Sequence, residues 1–188
     1  MLSILLVSDS YPPEIRSASL LMEELAHELV LRGHKVTVIT SWPQYNLEKP
    51  FLGNSFEKER GVQVLRVKTP AHHNVTYALR GISQLLMPFL FLLKLRGKLN
   101  KFDAAVIYSP PLPLAFMIPA LKARGIKTIL NVQDLFPQNA VDLGVLKNRV
   151  LINLFKKVEK FAYRRADHVT FHSKGNLELA SQSCSQEK

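Results

Sequence analysis

Leu2 to Ser8 is a nearly unbroken apolar run of strand length at the start of the chain. A strand without polar alternation is buried on both faces, as a parallel strand is when helices cover it above and below. Asp9-Ser10-Tyr11-Pro12-Pro13 ends the run. A helical stretch follows, with Leu21, Leu25 and Leu29 at fourfold spacing and Met22, Ala26 and Val30 beside them. Ser17 or Ser19 is expected to cap this helix and Gly33 to end it. Lys35 to Thr40, rich in β-branched residues, reads as the second strand.

The same alternation continues. Strands are expected at Val62 to Val67, Ala104 to Tyr108, Ile126 to Val132 and His168 to Phe171. Helices are expected at Tyr77 to Leu99, Leu112 to Lys122 and Lys147 to Arg165. Ser41 to Arg60 reads as one long polar connection. This pattern predicts an α/β fold with a Rossmann-like, doubly wound, mainly parallel sheet. A chain of 188 residues holds one such domain and not two. Residues 1–173 are expected to form it, with 174–188 as a polar tail or truncated interdomain linker.

The net charge of +10 favours an anionic partner. The single cysteine, Cys184, excludes an intrachain disulfide and a zinc cluster, and it fits a reducing cytoplasm. The N-terminus lacks the basic start and long apolar core of a signal peptide. The longest apolar stretch, Ile82 to Leu95, is about 14 residues against the roughly 20 a membrane span needs. No helix-turn-helix, zinc finger or RNP-like aromatic strand appears, so nucleic acid is not expected as a partner.

Two segments are basic and amphipathic. In Lys147 to Arg165, Val150, Leu151, Leu154, Phe155, Val158, Phe161 and Ala162 are expected in the core, opposite a basic face that reads as solvated or as suited to anionic lipid. The Tyr77 to Lys101 segment carries more apolar surface than one buried face needs. It is read either as a helix buried against the sheet or as a helix dipping into an anionic membrane surface. Arg80, Phe89, Phe91, Lys94, Arg96 and Lys98 are its membrane-facing candidates.

In an open α/β sheet, ligands bind beyond the carboxyl ends of the strands. That rule selects Asp9, Arg16 and Ser17 after the first strand, Ser109 after the fourth, Gln133 and Asp134 after the fifth, and His172 after the last. Arg16-Ser17 at a helix N-terminus suits a phosphate. The alternative is a capping serine and a solvated arginine. Asp134 reads as a ligand for sugar hydroxyls or as a turn carboxylate. His72 and His73 are adjacent in a loop and are expected to be exposed. No metal site is expected. Neither G-x-G-x-x-G nor a P-loop is present, which disfavours dinucleotide binding in the usual manner.

Tyr11-Pro12-Pro13-Glu14-Ile15-Arg16-Ser17-Ala18-Ser19, with Glu24-Leu25-Ala26 and Leu31-Arg32-Gly33-His34-Lys35-Val36-Thr37-Val38, resembles the opening of glycosyltransferase family 4. Asn131-Val132-Gln133-Asp134-Leu135-Phe136-Pro137 and Arg165-Ala166-Asp167-His168-Val169-Thr170 are similar to later segments of that family's N-terminal domain. The resemblance implies half of a GT-B fold, the half that mainly holds the acceptor. It implies retaining sugar transfer without an obligatory metal or other cofactor. The donor would be a nucleotide-sugar and the acceptor a lipid-linked sugar, in cell-surface polysaccharide synthesis at the cytoplasmic membrane face. The partner would be a C-terminal donor domain, and without it the chain is expected to be inactive. Two departures stand out. Many members have Gly-Gly where Arg16-Ser17 stands, and a histidine where Gln133 stands.

Overall fold

The computed structural model describes residues 1–185, with side chains to residue 181. The strands are β1 (Ser3–Val7), β2 (Lys35–Ser41), β3 (Phe56–Glu59), β4 (Val62–Val67), β5 (Ala104–Ser109), β6 (Lys127–Val132) and β7 (His168–Phe171). They form one seven-stranded sheet in the order β3-β4-β2-β1-β5-β6-β7. Every pairing is parallel except β3 with β4. The α/β Rossmann-like expectation is met.

The helices are α1 (Ser17–Leu31), α2 (Tyr77–Lys94), α3 (Ile118–Lys122), α4 (Gln138–Asp142), α5 (Arg149–Arg165) and α6 (Lys174–Ser185). The unbroken run of β1 has the cause inferred for it. Leu5 and Val7 enter a core cluster with Met87, Phe91 and Leu95, while Ile4 and Leu6 enter a second one with Met22 and Ala26. Chain order reverses between β1 and β5, and the carboxyl ends of those two strands mark the switch point.

Several local expectations are corrected. The long connection contains strand β3, which pairs antiparallel in register with β4. Its Phe56-Glu57-Lys58-Glu59 reads as loop because it alternates charge and is half exposed, as an edge strand should be. The residue at the cap position of α1 is Arg16, and no side chain caps that end. Small residues turn α1 onto the sheet: Ala18, Ser19, Met22 and Ala26 are buried, whereas Leu21 is exposed. Leu112 to Lys122 is a 3-10 stretch, Leu112–Met117, running into α3, with a proline at the start of each piece. Lys174 to Ser185, expected as polar tail or linker, is the helix α6, whose Ala180 is buried in the larger core cluster. Positions 186–188 of that expected tail lie outside the described residues.

The two amphipathic helices divide differently from expectation. Phe91, a membrane-facing candidate, is fully buried with Met87 in the core. Its neighbours Ile82, Leu85, Leu86, Phe89 and Leu93 are exposed and form a ridge along α2. On α5 only Ala162 is buried, and Val150, Leu151 and Leu154 stand in solvent rather than in the core. The periodicity is that of an amphipathic helix in both cases. Which part of each stripe meets the sheet depends on where the helix docks, and spacing does not specify that.

Candidate functional site

The turn after β1 is held from three sides. Arg66 on β4 is fully buried, and its guanidinium donates to Glu57 at 2.7 Å, to Glu59 at 3.0 Å and to the carbonyl of Pro12 at 2.6 Å. The Glu14 carboxylate accepts from the backbone N–H groups of Gln44 at 2.7 Å and Tyr45 at 3.0 Å. Asn46 donates to the carbonyl of Ile15 at 2.7 Å. Gln44 Nε2 also donates to the carbonyl of Thr69 at 3.0 Å, so these contacts convert three loops, after β1, β2 and β4, into one wall. Burial pushes the Glu14 carboxyl above its ordinary range, against the pull of its two N–H donors.

Inside that wall lies a cleft of about 240 Å³, with Asp9, Arg16, Tyr45, His72, His73 and Arg80 among its lining residues. Pro110 and Pro111, after β5, close its other side. Arg16 Nη1 donates to Asp9 Oδ2 at 3.0 Å and lies 3.2 Å from His73 Nε2. Burial, His72, Arg16 and Arg80 push the His73 pKa down to about 3, so its ring is neutral near pH 7. A neutral ring gives Nε2 a lone pair for Arg16, which fixes the proton on Nδ1. His73 stacks on Tyr45 with ring centroids 4.7 Å apart.

His72 is fully buried, which overturns the expectation of two exposed histidines. The rings of His72 and His73 lie with centroids 4.3 Å apart. The loop bends there, so the alternation of an extended chain does not apply. His72 Nδ1 donates to the carbonyl of Pro70 at 3.3 Å, which leaves Nε2 as an acceptor. Burial lowers the His72 pKa as well. The carbonyl of His72 accepts from Arg80 Nε at 3.0 Å. Arg80, a membrane-facing candidate from the sequence, is thus half-buried and turned to the cleft.

Ligand atoms of Asp9, His72 and His73 lie within 4.8 Å of one another, a donor set of the type that holds a metal. Arg16 is already the cation of this group, since it bonds Asp9 and His73 together. A second cation there meets its repulsion.

The remaining sequence candidates spread along the rim. Ser109 is buried at the end of β5, and its carbonyl accepts from the N–H of Gln133 at 2.9 Å. Gln133 Nε2 donates to Asn131 Oδ1 at 2.6 Å. Burial, together with the charges of Asp134 and Asp9, pushes the Tyr108 hydroxyl up to about 12. Asp134 and His172 are exposed, as is Ser17, and none of the three lines the cleft. Sequence reasoning missed Tyr45, His72, His73 and Arg80. No spacing rule joins positions 9, 45, 73 and 80, and only the loop-to-loop contacts bring them together.

A mainly parallel sheet with its polar cleft at the β1/β5 switch point defines a Rossmann-like domain. The sucrose-phosphate synthase of Thermosynechococcus elongatus superposes with a TM-score of 0.71 at 11% identity, over 97% of this chain and 45% of that one. An Escherichia coli trehalose-6-phosphate structure bound with UDP-2-fluoro glucose superposes at 0.50 and 14% identity, over 97% of this chain and 42% of that one. The glycosyl transferase 4-like domain matches residues 20–183, and the chain belongs to that family. The probable glycosyltransferase WbjE of Pseudomonas aeruginosa is 35% identical over 92 residues, 48% of this chain and 23% of that protein. The chain therefore spans less than half the length of each of these relatives.

Proposed function

We propose that the chain is the acceptor-holding half of a retaining glycosyltransferase that moves a sugar from a nucleotide-sugar donor to a lipid-linked acceptor in cell-surface polysaccharide synthesis. The observation that carries this reading is the position of α2. Arg80 and Gln84 line the polar cleft, and the exposed ridge of Ile82, Leu85, Leu86, Phe89 and Leu93 runs down the same helix. An acceptor with a polar head and an apolar tail meets both surfaces at once. Lys94, Arg96 and Lys98 are exposed just past the ridge and suit the anionic cytoplasmic face of a membrane. Among the described residues no helix is long and apolar enough to cross a membrane, so the contact is peripheral in this reading.

The E. coli neighbour is bound with UDP-2-fluoro glucose, which supports a nucleotide-sugar as donor. The donor's diphosphate needs a second domain for tight holding and in-line placement. The reading needs no resident metal, since Arg16 supplies the fixed positive charge of the cleft. The test is transfer of labelled sugar from a nucleotide-sugar to a lipid-linked acceptor. The chain alone is expected to give none, and the chain joined to a donor domain is expected to turn over. Turnover by the isolated chain, or none in the joined protein, would refute the assignment.

The exposed ridge also favours a second reading, a membrane-docking module without catalysis. Co-sedimentation with anionic and neutral vesicles tests the docking common to both readings. Phe89→Ser is expected to weaken binding to anionic vesicles while stability changes by no more than about 0.5 kcal/mol. Equal binding to neutral vesicles would remove the anionic surface from both readings, and binding to neither kind would remove the membrane.

A further inference from the structure

The cleft holds polar groups whose needs the protein does not meet. Asp9 Oδ1 and His72 Nε2 are buried without a partner among the described residues. Both are acceptors: the carboxylate has no proton to give, and the other nitrogen of His72 already donates to Pro70. Buried acceptors are normally paired, so each calls for a donor. Because both atoms are almost closed to solvent, the donor must be slim, a hydroxyl rather than a bulky group.

Around them stand N–H groups with the opposite need. Arg16 bonds Asp9 and His73 through Nη1 alone, which leaves Nη2 without a partner among the described residues. Arg80 uses Nε for the carbonyl of His72, and neither of its terminal nitrogens has a partner there. Both arginines line the cleft, and both are close enough to His73 to lower its pKa. Two guanidinium groups with N–H pairs to spare suit a planar or tetrahedral oxyanion.

We infer that the cleft takes an anionic sugar, whose hydroxyls donate to Asp9 Oδ1 and His72 Nε2 while its phosphate or carboxylate is held by Arg16 and Arg80. This rests on the acceptor reading above and narrows it, since a neutral sugar leaves the arginines unused and a bare anion leaves the two acceptors unpaired. Phosphate and carboxylate share this chemistry, and binding experiments separate them.

The test is calorimetric titration of the full chain with four probes: glucose 1-phosphate, glucuronate, glucose and inorganic phosphate. At least one of the two anionic sugars is expected to bind about tenfold or more tighter than both glucose and inorganic phosphate. Preference for glucose 1-phosphate assigns a phosphorylated sugar, and preference for glucuronate a uronic acid. Arg80→Gln is expected to bring the preferred probe down to the affinity of glucose. His72→Phe is expected to bring it down to that of inorganic phosphate, with inorganic phosphate itself unchanged. If His72→Phe does not fold, the wild-type ranking still decides. Glucose equal to its anionic derivatives, inorganic phosphate equal to both sugars, or no binding by any of the four would overturn the inference. Transfer without this ranking would sink the inference alone, and this ranking without transfer in the joined protein would sink the functional reading alone.

Discussion

The β1 side of the ligand rim and the β6–β7 side are built differently. On the β1 side, Glu14 and Arg16 each reach another loop, Asp9 is paired with Arg16, Arg80 holds the carbonyl of His72, and rings fill the space between. On the other side, Asp134 and His172 are exposed with no side-chain partner among the described residues. Among the described residues the side chain of Gln133 is held only by Asn131, two residues away. One side is already organised around a small polar cleft. The other is an open shelf. Pre-organised groups cost little to use when a molecule binds, whereas an open shelf must be ordered by what covers it.

The sharpest way to break this comparison is to remove the anchor of the organised side. Arg66→Met is expected to cost about 3 kcal/mol, because Glu57, Glu59 and the carbonyl of Pro12 lose a buried donor together. For a domain of this size that is a fall of about 9 °C in thermal midpoint. A melting curve unchanged within error would mean that the loops hold themselves. Asp9→Asn is expected to cost less, about 2 kcal/mol by urea unfolding, since the amide still offers Arg16 an oxygen but no charge.

A third effect is the response to pH. His73 and His72 hold pKa values below the ordinary 6.5 when folded, while the unfolded chain takes up protons from about pH 6.5 downward. The unfolded state then binds more protons, so stability falls as pH drops from about 6.5 towards about 3. Glu14 acts in the opposite sense. Its raised pKa makes its contribution greatest in acid and lost as pH rises from the ordinary 4.5 through the folded value. Between about pH 7 and about pH 5 the histidines dominate, and His73→Gln is expected to lose less stability than wild type over that interval. Equal losses would show that His73 is not held neutral. The smallest effect belongs to the open side: Asp134→Ala and His172→Ala are each expected to change unfolding free energy by no more than about 0.5 kcal/mol. A cost near that of Asp9→Asn would erase the distinction between the two sides.

The division between what was legible in the sequence and what was not follows the same line. Asp9 and Arg16 are found from position alone, because a residue just past the carboxyl end of a buried strand has one rim to stand on. His72 and His73 are misread, because adjacent residues point apart only in extended chain and this loop is bent under Tyr45. Phe91 and Phe89 are two positions apart on one apolar helix. One is fully buried and the other 60% exposed, by the choice of which face α2 lays on the sheet. The order of strands and helices, the burial of β1 on both faces and the rim where ligands bind are determined by hydrophobic pattern and chain polarity, which are local properties of the sequence. The edge strand β3, the inward turn of Arg80 and the joining of three loops into a cleft were decided by the tertiary structure. Each depends on contacts between residues far apart in the chain, and these exist only once the sheet has assembled.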